Sequence, residues 1–248
     1  ALGTTLFTRG ARSVALTDAG RAFLPTVLQS LSSVENAAAH LFGGAEAQGL
    51  TLQCSLLLGV GWLGPRLAEF MRRHKDIRVS VLSGVRETGF DPAKSDLRIV
   101  FGLPPGPNEE ADVLFGETIF PVARPDVASQ ITCPEDLLAH QLIDIPAHRA
   151  NWWRFLPKGA QQTKMLYVDN SVSALSLASG DGIALARWPA CGDLPEQFGL
   201  QRCFAIAPLS GVQSFSLVHS GKSELRFAGA LFRDWLLEEA RAATRHPN

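Results

Sequence analysis

The chain has 248 residues, of which 46% are hydrophobic, so it holds ample apolar material for one large domain or two of medium size. Its 23 Lys and Arg nearly cancel its 24 Asp and Glu, which excludes a polyanion binder by overall charge and confines any nucleic-acid role to a local patch. No charged-then-apolar leader opens the chain and no apolar run reaches the roughly 18 residues of a membrane span, so a cytoplasmic protein is expected.

Leu6–Arg9 and Ser13–Leu16 are two short strand-like runs around Gly10-Ala11-Arg12, where glycine suits a tight turn; a hairpin is expected. Thr17-Asp18 then supplies an N-cap and an acidic first turn for a helix. Along that helix Leu24, Val27, Leu31, Val34, Ala38 and Leu41 recur at steps of three and four, forming a narrow stripe that ends at Gly43-Gly44. Such a stripe fits two helices zipped together, the alternative being one amphipathic helix buried in a monomer. Pro25 removes a backbone donor and is expected to bend the helix near its start.

From Leu50 the pattern changes to strands alternating with helices, which predicts a largely parallel α/β sheet. Leu50–Cys54 reads as a strand, Ser55–Gly61 as a turn, Trp62–His74 as an amphipathic helix and Ile77–Leu82 as the next strand. Asp96–Gly102 and Thr118–Ala123 follow as strands on either side of a Pro/Gly-rich loop. A second unit of the same kind comprises strand Leu142–Ile145, a helical turn at Trp152–Leu156, strand Met165–Val168, helix Val172–Ser179 and strand Ile183–Ala186. Phe215–His219 reads as a strand and Leu225–Ala243 as a closing helix.

The four cysteines, Cys54, Cys133, Cys191 and Cys203, are widely spaced without a metal-ligand pattern, and are expected to be reduced and mostly packed. Phosphate loops, a Gly-x-Ser-x-Gly elbow and zinc-helix histidine spacing are missing from the sequence, so neither catalysis nor a metal or cofactor is expected.

Leu2-Gly3-x-x-Leu6-Phe7-x-Arg9 followed by Leu16-Thr17-x-Ala19-Gly20 resembles the second half of the winged helix-turn-helix of LysR-type transcriptional regulators. The resemblance extends from about Leu50 to Glu239 through Trp62-Leu63-x-Pro65-Arg66-Leu67, Asp96-Leu97-x-Ile99-x-x-Gly102, Glu117-x-x-x-Pro121-Val122, Gly182-Ile183-Ala184-Leu185 and Phe232-Arg233-Asp234-Trp235-Leu236. The order of these motifs is similar to the subgroup that holds glycine-cleavage and β-lactamase gene regulators. It implies a chain that begins after its recognition helix, with 1–16 the remaining wing, 17–43 the linker and dimerisation helix, and 44–49 a hinge. Two subdomains like those of periplasmic solute-binding proteins would follow, 50–119 with 217–248 and then 120–216, joined by two crossing strands around a cleft.

Arg9 and Arg12 on the wing would then contact DNA phosphates in the complete protein; without the resemblance they read as solvated surface arginines. In a parallel sheet, ligands gather beyond the strand C-termini, where helix starts offer unpaired amides. This points to Ser55, Leu56, Leu57 and Leu58 before the first helix, Phe101 and Gly102 at a strand end, and Asn170, Ser171 and Val172 at another helix start. Asp144, on the strand at 142–145, and His148, which follows that strand, join this set. Amides at two helix starts favour a small carboxylate, although Asn170 and Ser171 equally suit plain capping. The leucine run implies a more hydrophobic effector, one held through main-chain groups, or none at all. Arg149 is a candidate for pairing with an anion, His148 for titrating near neutrality, and Trp152-Trp153 for the cleft rim, against a surface turn with a packing tryptophan.

The expectation is therefore a homodimer, with pairing into a tetramer left open, whose effector controls DNA binding. A cytoplasmic solute-binding or sensor module without a transcriptional role is the alternative. That alternative accounts for neither hairpin nor stripe, and an α/β enzyme lacks a catalytic constellation.

Overall fold

The computed structural model describes residues 3–9, 14–24, 26–27, 30–31, 48–83, 95–148, 151–160, 164–221 and 225–243. β1 (Phe7–Arg9) and β2 (Val14–Leu16) pair antiparallel with Phe7 opposite Leu16, which is the hairpin expected from the sequence. The Thr17 hydroxyl accepts the Gly20 amide at 3.0 Å, capping helix α1, whose described residues are 18–24, 26–27 and 30–31. Hairpin and helix touch through Gly20, where a Cβ would lie 2.1 Å from the Leu6 carbonyl oxygen. On the expected seam, Leu24 and Leu31 are exposed in the single chain and Val27 is half-buried. Pro25, Val34, Ala38, Leu41 and Arg12 lie outside the described residues.

The first lobe is built on β3 (Gln48–Cys54), which pairs parallel with β4 (Ile77–Ser83) along its length and with β5 (Leu97–Phe101). The turn expected at Ser55–Gly61 is helical instead. α2 (Leu56–Leu58) runs through a π-helical turn (Gly59–Leu63) into α3 (Gly64–Arg73) without a break. Burial is the reason: Leu57, Leu58, Gly61, Trp62 and Leu63 are all enclosed, and packing that apolar run outweighs the modest helix cost of two glycines. On α3, Phe70 sits 5.0 Å from the rings of both Phe232 and Trp235 on α7 (Phe227–Ala243), which returns the end of the chain to this lobe.

Two long strands serve both lobes. The first half of β6 (Glu109–Ala123) pairs with β11 (Leu209–Ser220), which itself pairs with β5, all antiparallel. The second half of β6 pairs antiparallel with β9 (Ala184–Trp188) and β10 (Gln201–Arg202). The β6–β11 register slips between Ser210 and Ser214, so that residues 211–213 bulge opposite Glu117. Both division points expected from the sequence, after 119 and after 216, fall inside these shared strands.

β6 and β11 are much longer than the expected Thr118–Ala123 and Phe215–His219. The acidic stretch at 109–112 extends as strand because its charges are matched from elsewhere. Arg98 reaches Glu109 at 3.0 Å, and Arg233 grips Asp112 with two nitrogens at 2.5 and 2.9 Å.

The second lobe places β7 (Leu142–Asp144) parallel to β8 (Met165–Tyr167), with a further parallel bridge from Leu142 to Ile183 just before β9. α4 (Pro125–Ala128), α5 (Ser171–Ala178), α6 (Leu194–Gln197) and two 3-10 turns cover it. Its own core gathers Ile119, Ile131, Leu137, Leu142, Trp152, Ile183 and Cys203. The sheet is mixed rather than largely parallel, because a chain that passes from one lobe to the other and back must cross in opposite directions, and β6 and β11 are those crossings. Cys54, Cys191 and Cys203 are buried, Cys133 half-buried, and none of the four is in a disulfide.

Candidate functional site

β3, β5, β7 and β8 all deliver their C-terminal ends to one region. Beyond β8, Asn170 caps α5: its Oδ1 accepts the Ser173 amide at 2.9 Å, and its Nδ2 donates to Ser173 Oγ at 2.9 Å and to Asp169 Oδ1 at 2.7 Å. Helical geometry leaves the amides of Ser171 and Val172 without an acceptor inside the helix. Ser171 is buried and Val172 half-buried. Beyond β3, Ser55 caps α2 by accepting the Leu58 amide at 3.4 Å. α2 and α5 pack on one another, so Leu57 and Leu58 share a core with Ala174, Leu175 and Ala178. Leu56, 40% exposed, is the leucine of the three that solvent reaches.

Beyond β5, the Phe101 ring stands edge-on to His148 at 5.7 Å and lies 4.6 Å from Phe215. Gly102 adopts a φ of +65°, and its amide donates to the Ser214 carbonyl at 2.9 Å. Gln213 lies over Gly102 so closely that a Cβ there would be 1.9 Å from Nε2.

Asp144 ends β7 and is buried; burial pushes its carboxyl above the usual carboxylate range, partly opposed by the Ile145 amide and by Arg187. Burial and then the charge of Arg187 hold His148 down to about 3, so it is neutral through the physiological range. This corrects the expectation of a titration near neutrality. Its Nδ1 is buried without a hydrogen-bond partner. Trp152 is a packing residue, buried with its Nε1 donating to the Ile143 carbonyl at 2.8 Å, whereas Trp153 is exposed. Arg149 lies outside the described residues. Arg9 ends β1, remote in sequence from these groups.

Sequence reasoning missed the pair at the centre of this region. Arg187 of β9 donates to Glu117 of β6 at 2.8 Å, with side chains 3% and 0% exposed. Burial raises the Glu117 carboxyl, while Arg187 and, further off, Arg154 oppose the rise. Glu117 Oε1 is buried without a partner and lies against Gly211, where a Cβ would come within 2.4 Å of it. The available signal was one arginine in Ala-Leu-Ala-Arg-Trp and one glutamate in Phe-Gly-Glu-Thr-Ile: a lone charge in an apolar strand needs a buried partner. The charge of Arg187 acts on Glu117, Asp144 and His148 alike. Among the described residues the region thus offers helix-start amides, a buried guanidinium, a neutral imidazole and carboxyls disposed to take up protons.

Two α/β lobes threaded by a pair of antiparallel strands, with helix starts meeting where the parallel strands end, define a small-molecule receptor of the periplasmic-binding-protein type. The sequence profile described as LysR substrate binding domain matches residues 43–241, and the chain belongs to the LysR-type transcriptional regulators. It is 30% identical over 252 residues to the HTH-type transcriptional activator AmpR of Pseudomonas aeruginosa, spanning 98% of this chain and 83% of that protein. To the glycine cleavage system transcriptional activator of Escherichia coli strain K12 it is 26% identical over 254 residues, 97% of this chain and 81% of that one. Among solved structures, the effector domain of AmpR from Pseudomonas aeruginosa superposes with a TM-score of 0.69 at 30% identity, over 80% of this chain and 98% of that domain. Full-length AphB, a Vibrio cholerae virulence activator, shares the fold with a TM-score of 0.60 at 19% identity, over 94% of this chain and 83% of AphB.

The chain is accordingly an effector-sensing transcriptional regulator, and the reading as a solute-binding module outside transcription is not favoured. Regulators of this family bind DNA and effectors and act as oligomers. Among the described residues no helix is long and apolar enough to cross a membrane.

Proposed function

We propose that this regulator senses a small carboxylate-bearing metabolite between its lobes and converts occupancy into a change of the interlobe angle that alters DNA binding. The observation that carries the reading is the start of α5, a helix packed against α2: first-turn amides of Ser171 and Val172 lack intrahelical acceptors, and the buried Arg187 acts on Asp144 and His148 nearby. Effector contacts are assigned to Ser55, Leu56, Phe101, Gly102, Asp144, His148, Asn170, Ser171 and Val172, with Leu57 and Leu58 as the apolar wall behind them.

The remaining parts of the reading follow the family. Leu24, Val27, Leu31, Val34, Ala38 and Leu41 join two copies, dimers pair further into a tetramer, and Arg9 and Arg12 rest on DNA phosphates. The protein works in the cytoplasm, without catalysis or a cofactor. The lobes divide within β6 and β11.

Thermal-shift screening of the full chain against aromatic and branched carboxylates, each beside its matched carboxamide, tests the ligand class. A carboxylate that raises the melting temperature while its amide does not is the expected result. No shift from any acid, or equal shifts from acid and amide, overturns the anion reading.

A further inference from the structure

Away from the shared strands, the lobes also meet where the π-helical turn of the first abuts the loop after β9 of the second. The approach is backbone to backbone. A Cβ placed on Gly61 would lie 2.4 Å from the Cys191 carbonyl oxygen and 2.6 Å from that of Ala190; one placed on Gly192 would lie 2.1 Å from the Gly61 oxygen. These are main-chain atoms and cannot rotate aside as a side chain does.

Local conformation explains only one of the two glycines. Gly192 has a φ of +49°, a region that favours glycine on its own account. Gly61 is helical with no positive φ, and at such a position alanine is the better residue by about 1 kcal/mol. Glycine at 61 is therefore explained by the closeness of the opposing lobe. Around this point Leu58, Trp62 and Leu63 of the first lobe share one core with Ala190, Cys191 and Leu194 of the second, so the contact is dry and cannot slide freely. The π-helical turn contributes as well, since its extra residue pushes the backbone outward where it meets the loop.

We propose that Gly61 and Gly192 form a backbone stop that sets the angle between the lobes, which makes them positioning residues for effector sensing. The proposal rests on the two-lobed fold and not on the chemistry of the effector. Adding one methyl at 61 requires the surfaces to part by roughly 1 Å, because close-packed main-chain atoms do not interpenetrate.

The test is a spin-label distance measurement across the lobes of the full chain. Met71→Cys on α3 and Leu177→Cys on α5 are both exposed sites for the labels. Cys133→Ser removes the half-buried thiol while the three buried ones stay shielded. Gly61→Ala and Gly61→Leu should shift the distance distribution progressively, and Gly61→Ser supplies the intermediate step if the leucine variant fails to fold. Gly59→Ala, whose added carbon would meet the side chain of Cys54 at 3.3 Å within the first lobe, should leave the distribution unchanged. Unchanged distances in Gly61→Ala overturn the proposal, whatever happens to its melting temperature, as does an equal shift in the Gly59 control.

Discussion

His148 provides a direct test of the electrostatics at the site. Its imidazole is held from the ordinary 6.5 down to about 3, chiefly by burial and then by Arg187. In the unfolded chain His148 takes its proton near pH 6.5, whereas the folded protein refuses it until about pH 3. Between those values the unfolded state holds the extra proton, so stability is complete above pH 6.5 and is lost as pH falls. The slope is about 1.4 kcal/mol per pH unit, which amounts to about 2 kcal/mol between pH 6.5 and pH 5. His148→Phe keeps a ring against Phe101 and removes the titration. Urea denaturation of both proteins at about pH 7 and about pH 5 should show the wild type losing about 2 kcal/mol more than the variant. Asp112, Asp126 and Asp136, all held below the usual carboxylate range, titrate lower and are common to both proteins. Glu117 and Asp144, both raised by burial, are likewise present in wild type and variant. If the gap between wild type and variant is the same at both pH values, the buried neutral histidine is refuted.

Glu117→Ala strands a buried guanidinium and should cost about 3–5 kcal/mol in denaturant melts, whereas the paired change Glu117→Leu with Arg187→Met should recover most of that loss. Asn170→Ala removes the cap of α5 and should lower stability by about 1 kcal/mol in the same assay. Phe70→Ala opens a hole between α3 and α7 and should cost about 3–5 kcal/mol, with loss of near-ultraviolet circular dichroism from the Phe70–Phe232–Trp235 group.

The hairpin strands and most strands of both lobes were legible because their signals are local: a glycine between two short strand-like runs, and apolar segments such as Leu97–Phe101 whose burial is written in their composition. The first half of β6 was not, since Glu109, Glu110 and Asp112 look like loop until Arg98 and Arg233 are set beside them. The start of α2 was hidden for the opposite reason. Gly59 and Gly61 signal a turn, and burial of the apolar residues around them, with the second lobe lying against Gly61, makes helix the better solution. The helix start at Asn170 could be read from its capping residues alone, but Glu117 and Arg187 are seventy residues apart and meet only through the pairing of β6 with β9. Charge complementarity across such a distance has no periodicity to betray it.

The route of α7 has a consequence for biosynthesis. On the ribosome, the segment from Phe120 to Gln201 emerges as an unbroken stretch and has most of its partners at hand. The opening strands β3, β4 and β5 must wait for β11 and for Phe232, Trp235 and Arg233 to appear before their sheet and hydrophobic face are covered. The second lobe can therefore assemble ahead of the first, whose early strands are the part exposed to aggregation while translation proceeds.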